Sequence, residues 1–528
     1  MTRLQRVFIA SAVVFFAVTA WYGRPAGLWN SPDETANAFW IERVANGEPR
    51  FVRDAVIGIG AGAIHPRSMA VQGDTLVPGS FPGIILLYGA LLRIFNAPLF
   101  LLTPIFTVLA GALFAAVVGR LFDRRVGIVA AILFFLHPAV LYYASRGLFH
   151  NVLFINLLIF SAAAFALRRD RVHDALGGFA FGWALATRTS EALWAVPAFA
   201  LFLPFAGTER WRRLGWALAG AALPVFLLLQ TNASLYGSPF KTAYVSAPAA
   251  PTAVETAISA PAPSAQLEPR IALPFGFDAK RALRNAWYYG IRIFWWQSLL
   301  AVAGLLLWCS AFRKSTAVQK TYAAATVAGA VWLAVLYGSW AIRDRLDPSA
   351  VTIGTSYVRY FLPAYVAMLP FAAFALVRFA DGATRKHAHI AVLALFAFMT
   401  ARVTLFAGDE SLQAVRDTLA ENAWKRTQLL ENVFPPDAVI MTERFDKLFV
   451  PDIMRIIPAA DATGFDAATK LADVVPVYWY GLTPAFEERL RLEALANARG
   501  FTLSEMPSPV SGETALIFER AALDDLVP

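Results

Sequence analysis

The chain has 528 residues, of which 58% are hydrophobic and only 16% charged, with 42 Phe. A soluble domain carries about 25% charged residues, so an ordinary soluble protein is excluded. Repeated apolar runs of roughly 17–22 residues, each able to cross about 30 Å as a helix, point to an α-helical polytopic membrane protein. The net charge of +9 is no signature of nucleic-acid binding, because it is divided among short gaps between apolar runs.

Those gaps hold Arg3 and Arg6; Arg120, Arg124 and Arg125; Arg168, Arg169 and Arg171; Arg210, Arg212 and Arg213; Arg313, Lys314 and Lys320; and Arg378, Arg385 and Lys386. Such clustering is the positive-inside pattern and assigns these gaps to the cytoplasm. The single Cys309 excludes a disulfide within the chain and argues against a cysteine-based metal site. The six His show neither HxxxH nor HExxH spacing.

In chain order, the first span is expected at 7–22, entering from the cytoplasm; a signal peptide cleaved after 17-AVTA-20 is the alternative. Residues 23–97 then form a first outer loop. Within it, 80-SFPGIILLYGALLRIF-95 reaches only about 24 Å as a helix and carries Arg93, so it is read as interfacial or re-entrant. Further spans are expected at 98–119, 126–144, 149–167, 174–188, 190–206, 214–231, 290–312, 321–338, 360–378 and 388–406, about eleven in all. A second outer segment, 232–289, contains the Ala/Pro/Ser-rich run 246-SAPAAPTAVETAISAPAP-263, whose composition cannot pack a core and predicts a mobile loop. Residues 407–528 have ordinary soluble character. Strands are expected at 437–442, 474–481 and 514–519, and a helix opened by Thr483-Pro484 and closed by Gly500. The chain therefore divides into a transmembrane domain, 1–406, and a small extracytoplasmic α/β domain, 407–528. No internal repeat is evident.

The stretch 29-WNSPDETANAFW-40 places Asp33 and Glu34 in the first outer loop. Acids beside a membrane need a reason. A helix cap supplies one, with Ser31 or Asp33 capping a helix that begins at Glu34 and Pro32 setting its approach. Acid–base chemistry supplies another. The two are compatible, because a capped helix holds its first-turn acid rigidly.

A short cytoplasmic N-terminus, one span and an Asp-Glu pair in the first outer loop resemble the GT-C glycosyltransferases. The resemblance is strongest to bacterial relatives of protein O-mannosyltransferases and to the aminoarabinose transferases that act on lipid A. The segment 231-TNASLYGSPFKTAY-244 is similar to the family's outer N-x-x-x-x-G-x-P stretch, and 357-YVRYFLPAY-365 to its R-Y-x-x-P signature. Where the family usually has a Pro-Pro pair, this chain has Phe81-Pro82-Gly83. The resemblance covers roughly residues 1–405, chiefly as topology.

The resemblance implies transfer of a sugar from a polyprenyl-phosphate carrier to an extracytoplasmic acceptor, whether protein, lipid or glycan, in the inner membrane of a bacterium. The N-terminus is then cytoplasmic and the C-terminal domain periplasmic. Asp33, with Glu34 beside it, is the candidate catalytic acid pair, and Asp33 the base that takes the acceptor proton. A lipid phosphate leaving group calls for arginines. Arg359 is the leading phosphate ligand, followed by Arg146 in 142-YYASRGLFHN-151 and Arg188 in 187-TRTSE-191; Arg343 and Arg345 are further outer arginines. Snorkelling to lipid headgroups is the plain alternative for each. Where the family often has a second acid, His150 and Asn151 stand instead, and His150 is a candidate ligand of phosphate or sugar. Glu191 is the other candidate acid, or the structural partner of Arg188. Tyr360 and the 65-HPR-67 stretch, with His65, are candidate substrate contacts. The aromatic run 287-WYYGIRIFWW-296 reads as an interfacial belt or a sugar-stacking surface. Oligosaccharyl relatives in the wider superfamily use a divalent metal with several acids. One acid pair alone points to a reaction with neither metal nor other cofactor beyond the lipid-linked donor. A lipid or sugar transporter is the competing class, expected to show intramembrane charge, broken helices and repeats; a non-catalytic membrane scaffold is the other.

Overall fold

The computed structural model describes residues 2–60, 62–243, 273–342, 344, 347, 350–380 and 388–521. Arg343, Arg345, Arg385, Lys386 and the run 246–263 lie outside the described residues. By their contacts the residues group into two units, one drawn from 1–24, 97–227 and 266–415, the other from 25–96, 228–265 and 416–528.

The first unit is helical. Thr2 and Gln5 form a reciprocal capping box that starts the helix Arg3–Gly23, as a Thr followed three residues later by Gln dictates. Among the described residues, five helices are long and apolar enough to cross a membrane, or seven if each of two bent pairs is one span. Two of the expected spans are missing for local reasons. The helix Arg171–Thr187 has only 17 residues, and Ala192–Ala200 only nine, with Pro197 inside it.

The first bend, 53°, falls between Arg124–Phe135 and Pro138–Ser145. Pro138 has no N–H, so the helical ladder stops before it. His137 caps the second half by accepting from the Ala139 N–H at 3.2 Å. The carbonyl of Leu136 accepts instead from Gln297 Nε2 at 3.0 Å and Thr400 Oγ1 at 2.5 Å. Side chains of neighbouring helices thus satisfy the broken backbone, as an apolar surround requires. The second bend, 94°, separates Ala279–Arg292 from Trp295–Ser310. There Tyr365 Oη donates to the Tyr289 carbonyl at 2.5 Å and Ser298 Oγ to that of Gly290 at 2.9 Å.

Close helix approach uses small residues. On Arg171–Thr187, Gly178 and Gly182 stand four apart and face Ala217 and Ala221 of the helix Arg210–Tyr236, whose Gly220 faces Ala175; a Cβ on Gly178 would lie 1.8 Å from the Ala217 carbonyl oxygen. The same two helices share a buried ion pair, with Arg213 Nη2 donating to Asp174 Oδ1 at 2.6 Å and to the Phe165 carbonyl at 2.9 Å. Arg213, read from sequence as one of a basic cluster, is committed to this pair.

The second unit is built on a five-stranded mixed sheet, ordered Ile456–Ile457, Val439–Met441, Val477–Leu482, Glu513–Arg520 and Phe501–Met506. The first two pairings are parallel and the last two antiparallel. The three expected strands are present. Ile456–Ile457, Phe501–Met506 and the helix Ala462–Ala472 are additional. The expected helix runs Phe486–Asn497, and Gly500 beyond it takes φ 77°.

The loop 25–96 joins this unit, not the long apolar helices with which the sequence boundaries had grouped it. Ile57, Ile64 and Leu76 of this loop are buried among Val439, Phe465, Trp479 and Leu516. Asp54 and Arg455 bridge the same contact at 2.7 Å. A small antiparallel sheet orders the loop as Val52–Arg53, Thr75–Pro78 and Met69–Gln72. The stretch read as interfacial forms the helix Gly83–Phe95, whose 13 residues are too few to span. It packs on the helix Pro32–Ala45, where Gly89 lies against Val44 and leaves no room for a Cβ. The N-x-x-x-x-G-x-P stretch closes on itself: Asn232 Nδ2 donates to the Pro239 carbonyl at 3.2 Å and Gly237 takes φ 74°.

Replacing Gly178 by Ala is expected to destabilise the protein by about 1–3 kcal/mol through overpacking. Gly329→Ala, where nothing lies within 4 Å, is the control. The thermal midpoint of the detergent-solubilised protein checks both.

Candidate functional site

The acid pair lies at the start of the helix Pro32–Ala45. Ser31 is the N-cap: its side chain accepts from the Glu34 N–H at 3.2 Å, and its carbonyl accepts from Thr35 Oγ1 at 2.9 Å. Pro32 fills the first helical position, where a missing N–H costs nothing. Helix formation therefore starts two residues before Glu34, with Ser31 rather than Asp33 as cap. Asp33 and Glu34 occupy the first turn, where the helix dipole favours negative charge. Glu34 is buried and Asp33 half-buried.

Asp33 Oδ1 accepts a hydrogen bond from Ser68 Oγ at 2.6 Å. Ser68 has φ 63°, a left-handed conformation uncommon outside glycine. Its surroundings hold it there. The Ser68 carbonyl accepts from the Gly79 N–H at 3.1 Å, and a Cβ on Gly79 would lie 2.5 Å from that carbonyl group. The preceding residue, Arg67, is gripped by buried Asp446. Its backbone N–H donates to Asp446 Oδ2 at 2.9 Å, and its Nε and Nη2 donate to Oδ1 at 2.9 and 2.5 Å. His65 lies in the same turn, with Nδ1 3.0 Å from the Pro66 carbonyl oxygen. Burial lowers its pKa, against the opposing influence of that carbonyl and of the Asp446 charge, which favours a neutral imidazole.

In the first unit, three arginines far apart in sequence converge on two aromatic rings. Arg146 follows the helix Pro138–Ser145, and Phe149 precedes the helix His150–Leu167. Gly147 allows the turn between them to press on Thr103, whose hydroxyl donates to its carbonyl at 2.5 Å. The guanidinium carbons of Arg146 and Arg359 lie 4.9 and 4.5 Å from the Phe149 ring centroid. Those of Arg359 and Arg188 lie 5.4 and 5.1 Å from the ring of Tyr360. Arg146 also donates to Tyr142 Oη at 3.0 Å, and Arg359 to Ser356 Oγ at 2.8 Å. Tyr360 stacks on Tyr337 at 4.5 Å and on Trp340 at 5.7 Å, and Phe275 meets both, 6.1 Å from Tyr337 and 4.1 Å from Trp340.

Glu191 is saturated. Its Oε1 accepts from Arg188 Nε and Nη2 at 3.0 and 2.7 Å and from Tyr337 Oη at 2.6 Å, and its Oε2 accepts from Trp194 Nε1. This is the geometry of a structural partner for Arg188. Asn151 supports the cluster from behind, its Nδ2 donating to the Arg359 carbonyl at 3.0 Å. His150 is buried at the first position of its helix.

Of the residues singled out in the sequence, Arg146, Arg188, Glu191, Asn151, Arg359 and Tyr360 thus come together in one unit, while Asp33, Glu34 and His65 belong to the other. The aromatic run 287–296 is divided between roles: Tyr289 and Trp296 are buried, whereas Trp287 and Trp295 are exposed. Sequence reading missed Ser68 and Asp446. Asp446 lies 379 residues from Arg67, and no local pattern marks either. Among the described residues no three His, Cys, Asp or Glu side chains are grouped to hold a metal ion.

No family model and no curated protein matches the chain. Solved structures do. ArnT from Cupriavidus metallidurans in the apo state matches with TM-score 0.53 at 13% identity, over 97% of each chain. The Archaeoglobus fulgidus oligosaccharyltransferase in the apo form matches with TM-score 0.51 at 12% identity, over 98% of this chain and 75% of that one. The archaeal oligosaccharyltransferase AglB from the same organism, in complex with an inhibitory peptide and a dolichol-phosphate, also has TM-score 0.51, at 13% identity over 100% and 75% of the two chains. The chain shares its fold with these structures.

Removing one partner of a buried ion pair leaves the other charge uncompensated. Glu191→Ala is therefore expected to destabilise the protein by about 3–5 kcal/mol, whereas Glu191→Gln, whose single amide oxygen can still accept from Arg188 and Tyr337, costs less. Thermal unfolding of the two variants side by side measures the difference.

Proposed function

We propose that the chain is a membrane glycosyltransferase that moves a sugar from a polyprenyl-phosphate donor to an extracytoplasmic acceptor. The observation that carries this reading is the cluster of Arg146, Arg188 and Arg359 on the rings of Phe149 and Tyr360. Guanidinium forks match phosphate oxygens in geometry and charge. Aromatic faces beneath them hold the forks in place and offer apolar surface to a lipid. Glu191 neutralises Arg188, so Arg359 and Arg146 are assigned the larger part in phosphate binding. The GT-C fold agrees with this assignment.

The reaction is a single displacement with inversion. The acceptor oxygen attacks the anomeric carbon, and the bond from that carbon to the phosphate oxygen breaks. The electron pair leaves with the lipid phosphate, where the arginines stabilise the charge. The acceptor proton passes to Asp33, the base. Its rigid mounting supports the role: a Ser31-capped helix with Pro32 at its first position, and a hydrogen bond from Ser68. Glu34, buried one residue on, adds negative charge to the same turn. Tyr360, His150, Asn151 and His65 are assigned to substrate contact or its support.

Asp33→Asn is expected to abolish transfer while leaving insertion and thermal midpoint unchanged, measured as release of polyprenyl phosphate from a labelled lipid-linked sugar. Arg359→Ala should weaken binding of a short-chain polyprenyl phosphate about tenfold or more, the loss typical of a hydrogen bond to a charged group. Full activity in Asp33→Asn contradicts the assigned base.

A further inference from the structure

The C-terminal residues grip the setting of Asp33 at two points, both through the short segment 444–447. At the first, buried Asp446 accepts from the backbone N–H, Nε and Nη2 of Arg67, while the Arg444 carbonyl accepts from Arg67 Nη2 at 2.9 Å. Four hydrogen bonds thus fix one residue. The next residue, Ser68, is held at φ 63° and donates to Asp33 Oδ1. At the second point, Lys447 Nζ donates to the Asn30 carbonyl at 3.0 Å, immediately before the Ser31 cap that starts the Asp33 helix.

A left-handed serine costs energy and persists only where its surroundings over-determine it. Here the surroundings are Asp446 on one side and Gly79 on the other. The result is a hydroxyl aimed at one oxygen of one carboxylate. A buried aspartate that takes both the backbone and the side chain of one arginine does more than hold two segments together, because it sets the torsion from which Ser68 projects.

We propose that Asp446, acting through Arg67 and Ser68, is a positioning residue for the Asp33 carboxylate. The C-terminal α/β residues thereby set the geometry of the catalytic base, in addition to any part in acceptor choice. The inference rests on Asp33 being that base. Ser68 holds one carboxylate oxygen and so restricts the rotation of the group that takes the acceptor proton. Loss of this alignment slows the chemical step without weakening the grip on the lipid phosphate, because the arginines assigned to that grip are untouched.

The test compares Ser68→Ala, Asp446→Asn and their combination in the full-length protein, using a lipid-linked sugar donor and reading kcat and KM separately. Displacing a catalytic group by a fraction of an ångström is expected to lower kcat about tenfold or more in each single variant, with donor KM changed by no more than about twofold. Because the two residues act in one chain, the double variant should fall no more than about twofold below the worse single variant. Asp446→Glu, which keeps the carboxylate, should recover part of the kcat lost in Asp446→Asn. Multiplicative losses, or a kcat per folded molecule that does not change, overturn the inference. Ser68→Ala breaks no ion pair, so it remains decisive should Asp446→Asn fail to fold. Asp33→Asn separates the two levels: if it stays active, the base assignment fails and the positioning role with it. If it is inactive while Ser68→Ala and Asp446→Asn turn over normally, only the positioning role fails.

Discussion

A charge removed from water has to be met by another group, and this constraint shapes the described structure at each level. The effective penalty is several kcal/mol per ion, comparable to the net stability of a whole domain. Three buried acids show the consequence. Glu191 gathers Arg188, Tyr337 and Trp194. Asp174 takes Arg213 from the next long helix, and Asp446 takes Arg67 from a loop hundreds of residues earlier. In each case the acid fixes where a segment distant along the chain must lie. These pairs specify an arrangement more than they add stability.

The same constraint governs uncharged backbone. Pro138 interrupts a helix within an apolar region, and the stranded Leu136 carbonyl draws Gln297 and Thr400 from two other helices. The break is thereby stitched to its neighbours. It also separates Arg124–Phe135 from Pro138–Ser145, and the second half ends at Arg146. Tyr143 from that half donates to the carbonyls of Ile353 and Thr355, at 3.1 and 3.0 Å, just ahead of Arg359. A proline kink and a tyrosine hydroxyl thus help bring two of the three arginines to one ring, Phe149. Aromatic faces suit guanidinium groups well because they attract cations without neutralising them.

In the second unit one core is shared by stretches far apart along the chain. Residues 25–96 contain short strands and three helices; Pro32–Ala45 and Gly83–Phe95 pack on each other, while Ile57, Ile64 and Leu76 are buried among residues of the C-terminal sheet. The turn 65–68 is consequently formed by contacts on both sides, and its final residue reaches Asp33. The acid pair is therefore a property of this composite unit rather than of its own twelve-residue stretch.

The sequence by itself determined the elements whose cause is local. Hydropathy marks the apolar helices, the Ser-Pro-Asp-Glu order marks a capped helix with acids in its first turn, and short apolar runs mark three strands of the C-terminal sheet. Composition and spacing also singled out Arg146, Arg188 and Arg359 one at a time, since arginines outside the cytoplasmic clusters stand out against the positive-inside bias. Only the tertiary structure decided that these three share two aromatic rings, that Glu191 is spent on Arg188, and that the loop 25–96 shares a core with the C-terminal sheet. It alone showed Ser68 and Asp446. The physical reason is that burial, ion pairing and ring contact depend on distance in space, and residues 67 and 446 leave no trace of their contact in the order of the chain.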